Sequence, residues 1–163
     1  MDQVSFIKTP MAMKKEKLKV SGTFLYFDRE NGNGRIYPHE LAGDILRNLQ
    51  KDINEGNILG EWGYPDRFEV SLANVSHRVT EIHFNPEKNS IDGTIEILNG
   101  TPKGNKLLGI LEENNKGFND MFVVRPRGMG NVNENKEVEN FTLYTFDIIP
   151  KENDAFKGFE NGN

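Results

Sequence analysis

Two neighbouring stretches constrain the fold of this 163-residue chain more than any other feature. Asn74 to Phe84 (NVSHRVTEIHF) and Ser90 to Leu98 (SIDGTIEIL) are rich in β-branched residues. The turn formers Asn85-Pro86-Glu87-Lys88-Asn89 join them. In the second stretch Ile91, Ile95 and Ile97 share one face, and Asp92, Thr94 and Glu96 the other. That period of two belongs to a strand buried on one side. The pair therefore predicts an antiparallel hairpin covering a core.

The rest of the chain fits around that hairpin. Leu18 to Phe27 (LKVSGTFLYF) reads as a further strand, and the repeated Asn-Gly of DRENGNGRIYP as a turn. Leu41, Ile45, Leu46, Leu49 and Ile53 recur at helical steps from a start near Pro38 to a stop at Gly56. ILGEWGYPDRFEVSL is predicted to be a loop. A short helix carries Leu107, Leu108, Ile110 and Leu111 and stops by Gly117, and Met121 to Val124 is a short strand leading into Arg125-Pro126-Arg127-Gly128-Met129-Gly130. Val138 to Ile149, apolar on both faces at its middle, reads as a central strand. With too few helices for a doubly wound sheet, the expected class is α+β: a mostly antiparallel, barrel-like sheet with two main helices. The expected division is an N-terminal tail over 1–17, one domain over 18–156 and a C-terminal tail over 157–163.

Composition narrows the function. A net charge of −5 argues against a general nucleic-acid binder, which needs clustered Lys and Arg, and the run Lys14, Lys15, Lys17, Lys19 reads as a solvated tail. The chain contains no cysteine, which excludes disulfides, thiolate metal sites and a thiol nucleophile. No signal-peptide pattern and no apolar run of membrane-spanning length is visible, so a soluble, unexported protein is expected.

Four blocks in order then resemble one family. They are Asn31-Gly32-Asn33-Gly34-Arg35-Ile36-Tyr37-Pro38; Leu59-Gly60-Glu61-Trp62-Gly63-Tyr64-Pro65; Val75-Ser76-His77-Arg78-Val79-Thr80-Glu81-Ile82 with Gly93 to Leu98 and Thr101-Pro102-Lys103-Gly104; and Val123 to Gly130 followed by Phe141 to Ile149. Together they resemble the prohead core (maturation) proteases of tailed phages, relatives of the herpesvirus assemblins. The resemblance implies their fold. It also implies that a histidine at position 64 would be the general base and a serine at position 125 the nucleophile. Here Tyr64 stands at the first position, and Arg125 and Pro126 replace a pair of serines. A phenol with a pKa of about 10 is a poor base at neutral pH, and neither Arg nor Pro supplies a nucleophile.

Substitutes are scarce. The five serines are Ser5, Ser21, Ser71, Ser76 and Ser90, so none follows residue 90. Thr142 and Thr145 are the nearest hydroxyls and read as structural strand residues. Arg127, Gly128, Met129 and Gly130 match the segment that in the family helps to build the oxyanion pocket, and the glycines are read as setting the backbone path. His77 matches the family's block and reads as a half-buried strand histidine with a satisfied hydrogen bond; the alternative is a remnant of the old site. A metal site from His77, His83 and Glu81 lacks a third fixed ligand, so no metal and no cofactor is expected.

The Asn31 to Gly34 run lacks the features of a phosphate loop, and Asp28, Glu30, Asn31 and Asn33 lack the closing glutamate of a calcium loop, so this is a turn. Trp62 and Tyr64 are either exposed interface anchors or, for Trp62, core packing. Val4, Phe6 and Ile7 give the first tail the means to add to a neighbour.

The implied function is that of a pseudoprotease serving as an auxiliary or minor capsid protein in the phage head, assembled in the host cytoplasm. Its partners would be the major capsid protein, other head proteins and further copies of itself, with no membrane and no specific nucleic acid. An active maturation protease with relocated residues is the enzyme alternative, and a scaffold-phase regulator is a third.

Overall fold

A computed structural model of the chain describes residues 18–151 apart from Tyr64, Asp66 and Phe68. The tails expected at 1–17 and 157–163 lie outside the described residues, as does Tyr64.

Strands β1 (Leu18–Tyr26), β2 (Leu59–Glu61), β3 (Val75–Asn85) and β4 (Ser90–Ile97) form one antiparallel sheet in the order β1-β4-β3-β2. The β3–β4 hairpin is the one the alternation predicts, with Phe84 opposite Ile91 and Asn85 opposite Ser90. Ile91, Ile95 and Ile97 lie on its buried face. Between them Gly93 makes room: a Cβ there would stand 2.5 Å from the Phe24 ring and 2.6 Å from the Glu81 carbonyl.

Helix α1 (Leu41–Asn54) buries Ile45, Leu49 and Ile53 of the expected stripe together with Ala42, while Leu41 and Leu46 are half-buried at its margin. It ends as Gly56, at φ +74°, turns the chain away. Helix α2 (Pro102–Asn114) starts with the Thr101 hydroxyl accepting from Gly104 N at 2.9 Å, and Asn115 ends it in the left-handed region at φ 52°. The one-turn helix α3 (Phe118–Met121) follows.

Strands β5 (Phe122–Val132) and β6 (Val138–Pro150) form a second antiparallel sheet. Three expectations change here. First, the Arg125 to Gly130 segment is strand rather than the end of one. Pro126 is tolerated because β5 is paired on one side only, and Gly128 lets β6 approach, since its Cβ would meet the Thr142 carbonyl at 2.4 Å. This makes β5–β6 a second hairpin. Second, the stretch read as loop contains β2. The chain beyond β2 joins β6, with a bridge between Trp62 and Ile148 and Gly63 N donating to the Ile148 carbonyl. β6 is thus flanked on both edges, by β5 and by residues 62–63, the central position expected of it, although its sheet has only two strands. Third, the expected barrel-like sheet is two sheets. They meet where β2 faces β6 and β1 faces β5, and no ladder among the described residues closes them into a barrel.

The packing gives opposite outcomes for two glycines. Gly93→Ala forces a Cβ onto Phe24 and the β3 backbone and should destabilise the protein by about 1–3 kcal/mol. Gly109→Ala, inside α2 with nothing near its Cβ, should stabilise it by about 0.5–1 kcal/mol. Urea unfolding of the two variants measures both signs.

Candidate functional site

Two of the positions that the motif blocks single out, His77 and Arg127, lie where β5 and β6 meet β2. In the β5–β6 ladder Arg125 pairs with Asp147, Pro126 with Phe146 and Arg127 with Thr145. Residues directly opposite one another in such a ladder share a face. Arg127, Thr145 and Asp147 point to the side on which β2 lies, as their bonds to Glu61 and Leu59 show.

Arg127 dominates this face. It is buried, and its guanidinium donates from Nε to Asp147 Oδ2 (2.8 Å) and from Nη2 to Asp147 Oδ1 (2.9 Å). Nη2 also donates to Glu61 Oε2 (3.3 Å), and Nη1 to the carbonyls of Arg67 and Glu69 (3.0 Å each). Glu61, itself buried, accepts from Arg67 Nη2 (2.6 Å) and Ser71 N (2.9 Å), and its own N–H donates to Asp147 Oδ1 (3.0 Å). Every side-chain N–H direction of Arg127 thus ends on an oxygen. Burial pulls the guanidinium towards the neutral form, but the Asp147 and Glu61 carboxylates outweigh it and raise its pKa. Burial likewise pushes the Asp147 carboxyl up, against the Arg127 and Glu61 N–H donors. Those donors occupy both of its oxygens and hold it as the carboxylate.

The remnant expected of Arg127 and Gly128 is therefore a joint that fastens the β5–β6 hairpin to β2 and the 67–71 segment. Sequence reading noted Arg127 but not Glu61 or Asp147 as its partners. The signal was present: a carboxylate within Phe146-Asp147-Ile148, in a strand apolar on both faces, has to be paired if it is buried.

His77 is fully rather than half buried, because β2 lies directly on its ring; a Cβ on Gly60 would stand 2.2 Å from Nε2. Nε2 lies 2.7 Å from the Phe146 carbonyl and Nδ1 2.8 Å from Ser76 Oγ. A carbonyl only accepts, so Nε2 carries the hydrogen and Nδ1 accepts from the serine hydroxyl. The satisfied hydrogen bond expected of His77 is present twice. Desolvation lowers its pKa to about 4, assisted by the Arg127 charge and opposed by the bond to Phe146. Ser76 is the one hydroxyl–imidazole partner that sequence reading passed over. It too is fully buried.

The other candidates separate. Thr145 is buried and donates to the Leu59 carbonyl (2.7 Å), whereas Thr142 is exposed. His83 and Glu81 lie on the exposed side of β3, 3.6 Å apart, away from the enclosed His77. Among the described residues no group of three metal-ligating side chains forms. Asn31 Oδ1 accepts from the N–H groups of Asn33 and Arg35, which makes the Asn-Gly run a turn. Trp62 packs edge-on to Phe122 beneath Lys103, so the packing alternative describes it. Asp28 pairs with His39, a residue unremarked in the sequence, at 2.8 Å on the surface and raises its pKa.

Two measurements test these assignments. Arg127→Met leaves Asp147 and Glu61 buried without their cation and should cost about 3–5 kcal/mol in urea unfolding, with Arg127→Lys recovering only part because it lacks the planar fork. For His77 the unfolded chain binds a proton at the ordinary value near 6.5 and the folded chain only at about 4. Its contribution to stability is therefore full above pH ~6.5 and lost as pH falls towards 4, a change of roughly 3 kcal/mol. Stability should fall less steeply across that window in His77→Gln, and NMR titration should find His77 neutral until the pH approaches 4.

No family model and no curated protein matches the sequence. Among solved structures, the capsid assembly protease gp21 of bacteriophage T4 is similar with a TM-score of 0.71 and 22% identity, over 83% of this chain and 82% of that one. The chain has the fold of a phage capsid assembly protease, the prohead-protease-like fold.

Proposed function

We propose that this protein is a structural component of a tailed-phage head, an auxiliary or minor capsid protein that uses the protease fold to bind the major capsid protein instead of cutting it. The observation that carries this reading is the chemistry at the motif positions. Arg125 and Pro126 stand on β5 where the resemblance implies a nucleophile, and Tyr64 where it implies the base. The neighbouring hydroxyl of Thr145 is committed to the Leu59 carbonyl. Losing either member of a nucleophile–base pair removes most of the catalysis, and both positions have changed. The similarity to a capsid assembly protease supports the location in the head, and a preserved fold with altered chemistry supports binding as the retained role.

Purified virions should then contain the protein in many copies. Its absence from them by quantitative mass spectrometry would reject this role. Its presence in proheads alone would favour the scaffold-phase regulator.

One observation favours an active protease. Ser76 Oγ donates to His77 Nδ1 at 2.8 Å, as a serine does beside its general base. Against it, both groups are fully buried, and the far nitrogen is occupied by the Phe146 carbonyl. A fluorophosphonate probe should leave the protein unlabelled; labelling at Ser76 or at any threonine would restore the enzyme reading.

A further inference from the structure

A cleft of about 280 Å³ lies between β1 and β5, lined by residues 23–26 of one and 123–126 of the other. Asn31, Asn33, Arg35 and Tyr37, from the loop that leads to α1, line it as well. Asn31 fixes that loop: its Oδ1 accepts from Asn33 N and Arg35 N, and its own N–H donates to the Arg35 carbonyl (2.9 Å). Two groups on the loop are left without a match. Arg35 is half-buried, yet among the described residues no carboxylate pairs with its guanidinium, and Glu30 on the same loop pairs with Lys136 instead. Asn33 Oδ1 is buried and among the described residues accepts no hydrogen bond. A charge partly withdrawn from water without a counter-ion is costly, and so is a buried amide oxygen without a donor. No carboxylate lines the cleft, in a chain whose 25 acidic side chains outnumber its 20 basic ones. The local charge is therefore opposite to that of the whole chain.

Arg35 and Tyr37 also line a neighbouring hollow of about 200 Å³, together with Gly128, Met129, Val132 and Phe141. Met129 and Val132 are exposed there. Tyr37 is buried edge-on to Phe141, with 5.2 Å between ring centres. Burial raises the pKa of its hydroxyl against the nearby Arg35 and Arg125 charges. Arg, Tyr, Phe and Met are the side chains enriched in the cores of protein interfaces. A cationic cleft thus has an apolar shelf beside it. Arg35 is matched by a carboxylate, and Asn33 by a peptide group, which supplies an N–H to Oδ1 or, with the amide turned over, a carbonyl to Nδ2. One ligand class brings all of these together: a peptide with an acidic side chain next to an apolar one.

We propose that this cleft binds an acidic segment of another protein, with an Asp or Glu side chain on Arg35, the adjoining peptide group on Asn33 and an apolar neighbour against Met129 and Val132. The acidic residue supplies the counter-ion that Arg35 lacks, and the shelf adds buried apolar area beside it. This goes beyond the head-protein reading and does not rest on it, because peptide binding is a property of the purified chain and virion content does not report on it.

NMR titration of the isotope-labelled full chain with pools of blocked octapeptides tests the proposal. The pools share random flanks and differ at one fixed position, which is Glu, Gln, Lys or phosphoserine; acetyl and amide caps remove the terminal charges. The Glu pool should shift the Arg35 Nε–Hε and Asn33 side-chain amide signals. It should bind about tenfold more tightly than the Gln pool, the difference that one charge-assisted hydrogen bond makes. Arg35→Gln should erase the preference for Glu over Gln while the amide spectrum of β3 and β4 stays unchanged, and Arg35→Lys should keep part of it. Equal binding of the Glu and Gln pools by the unmutated chain, or Glu-pool shifts that miss Arg35 and Asn33, would overturn the proposal. Tenfold tighter binding of the phosphoserine pool than of the Glu pool would overturn it too, because the ligand would then be a phosphate. So would Arg35 signals that move with protein concentration in the absence of peptide, because a second copy of the chain would then fill the cleft.

Discussion

Three strands and one loop are held in register by a single buried guanidinium. Arg127 on β5 grips Asp147 on β6 with two nitrogens, reaches Glu61 on β2, and caps the carbonyls of Arg67 and Glu69. Removing charges from water costs several kcal/mol per ion, and this is recovered only if geometry and hydrogen bonding are nearly complete. Here they are, and the arrangement tolerates no partial version. The two sheets do not close into a barrel, so this contact, with the Trp62–Ile148 bridge beside it, sets how they lie against one another.

His77 depends on the same junction. Its imidazole sits under Gly60, hydrogen-bonded to the Phe146 carbonyl on the strand that carries Asp147, and the Arg127 charge adds to the desolvation that keeps it neutral. A neutral histidine and a charged arginine are thus two consequences of one packing arrangement. Around this junction the side chains that the resemblance ties to catalysis do structural work. Arg127 joins strands, Gly128 permits the approach of β6, and His77 fills the space below β2. The fold uses these residues for its own packing.

Much of the fold was legible because local patterning and tertiary burial agree. The period-two alternation of Ile91, Ile95 and Ile97 and the helical stripe of Ile45, Leu49 and Ile53 are buried as read. Gly56 ends its helix as expected. The failures have a common cause. β2 is three residues long, too short for any periodicity, and exists because β3 supplies its ladder and Asp147 accepts from the Glu61 N–H. β5 carries Pro126, Gly128 and Gly130, residues that locally argue against a strand; its pairing with β6, with bulges where Gly128 and Gly130 fall, overrides that preference.

The sequence by itself determined the class of fold, the main elements and the identity of the groups at the motif positions, because alternation, helical spacing and side-chain chemistry are local properties. That Tyr64, Arg125 and Pro126 stand where a base and a nucleophile would be is what the resemblance implies. Only the tertiary structure decided which charges meet and which groups lose their water. Glu61 and Asp147 lie 86 residues apart in sequence yet share a hydrogen bond, and the His77 imidazole meets the Phe146 carbonyl 69 residues away. Burial and partner choice depend on contacts between segments distant in sequence, and no local pattern encodes them.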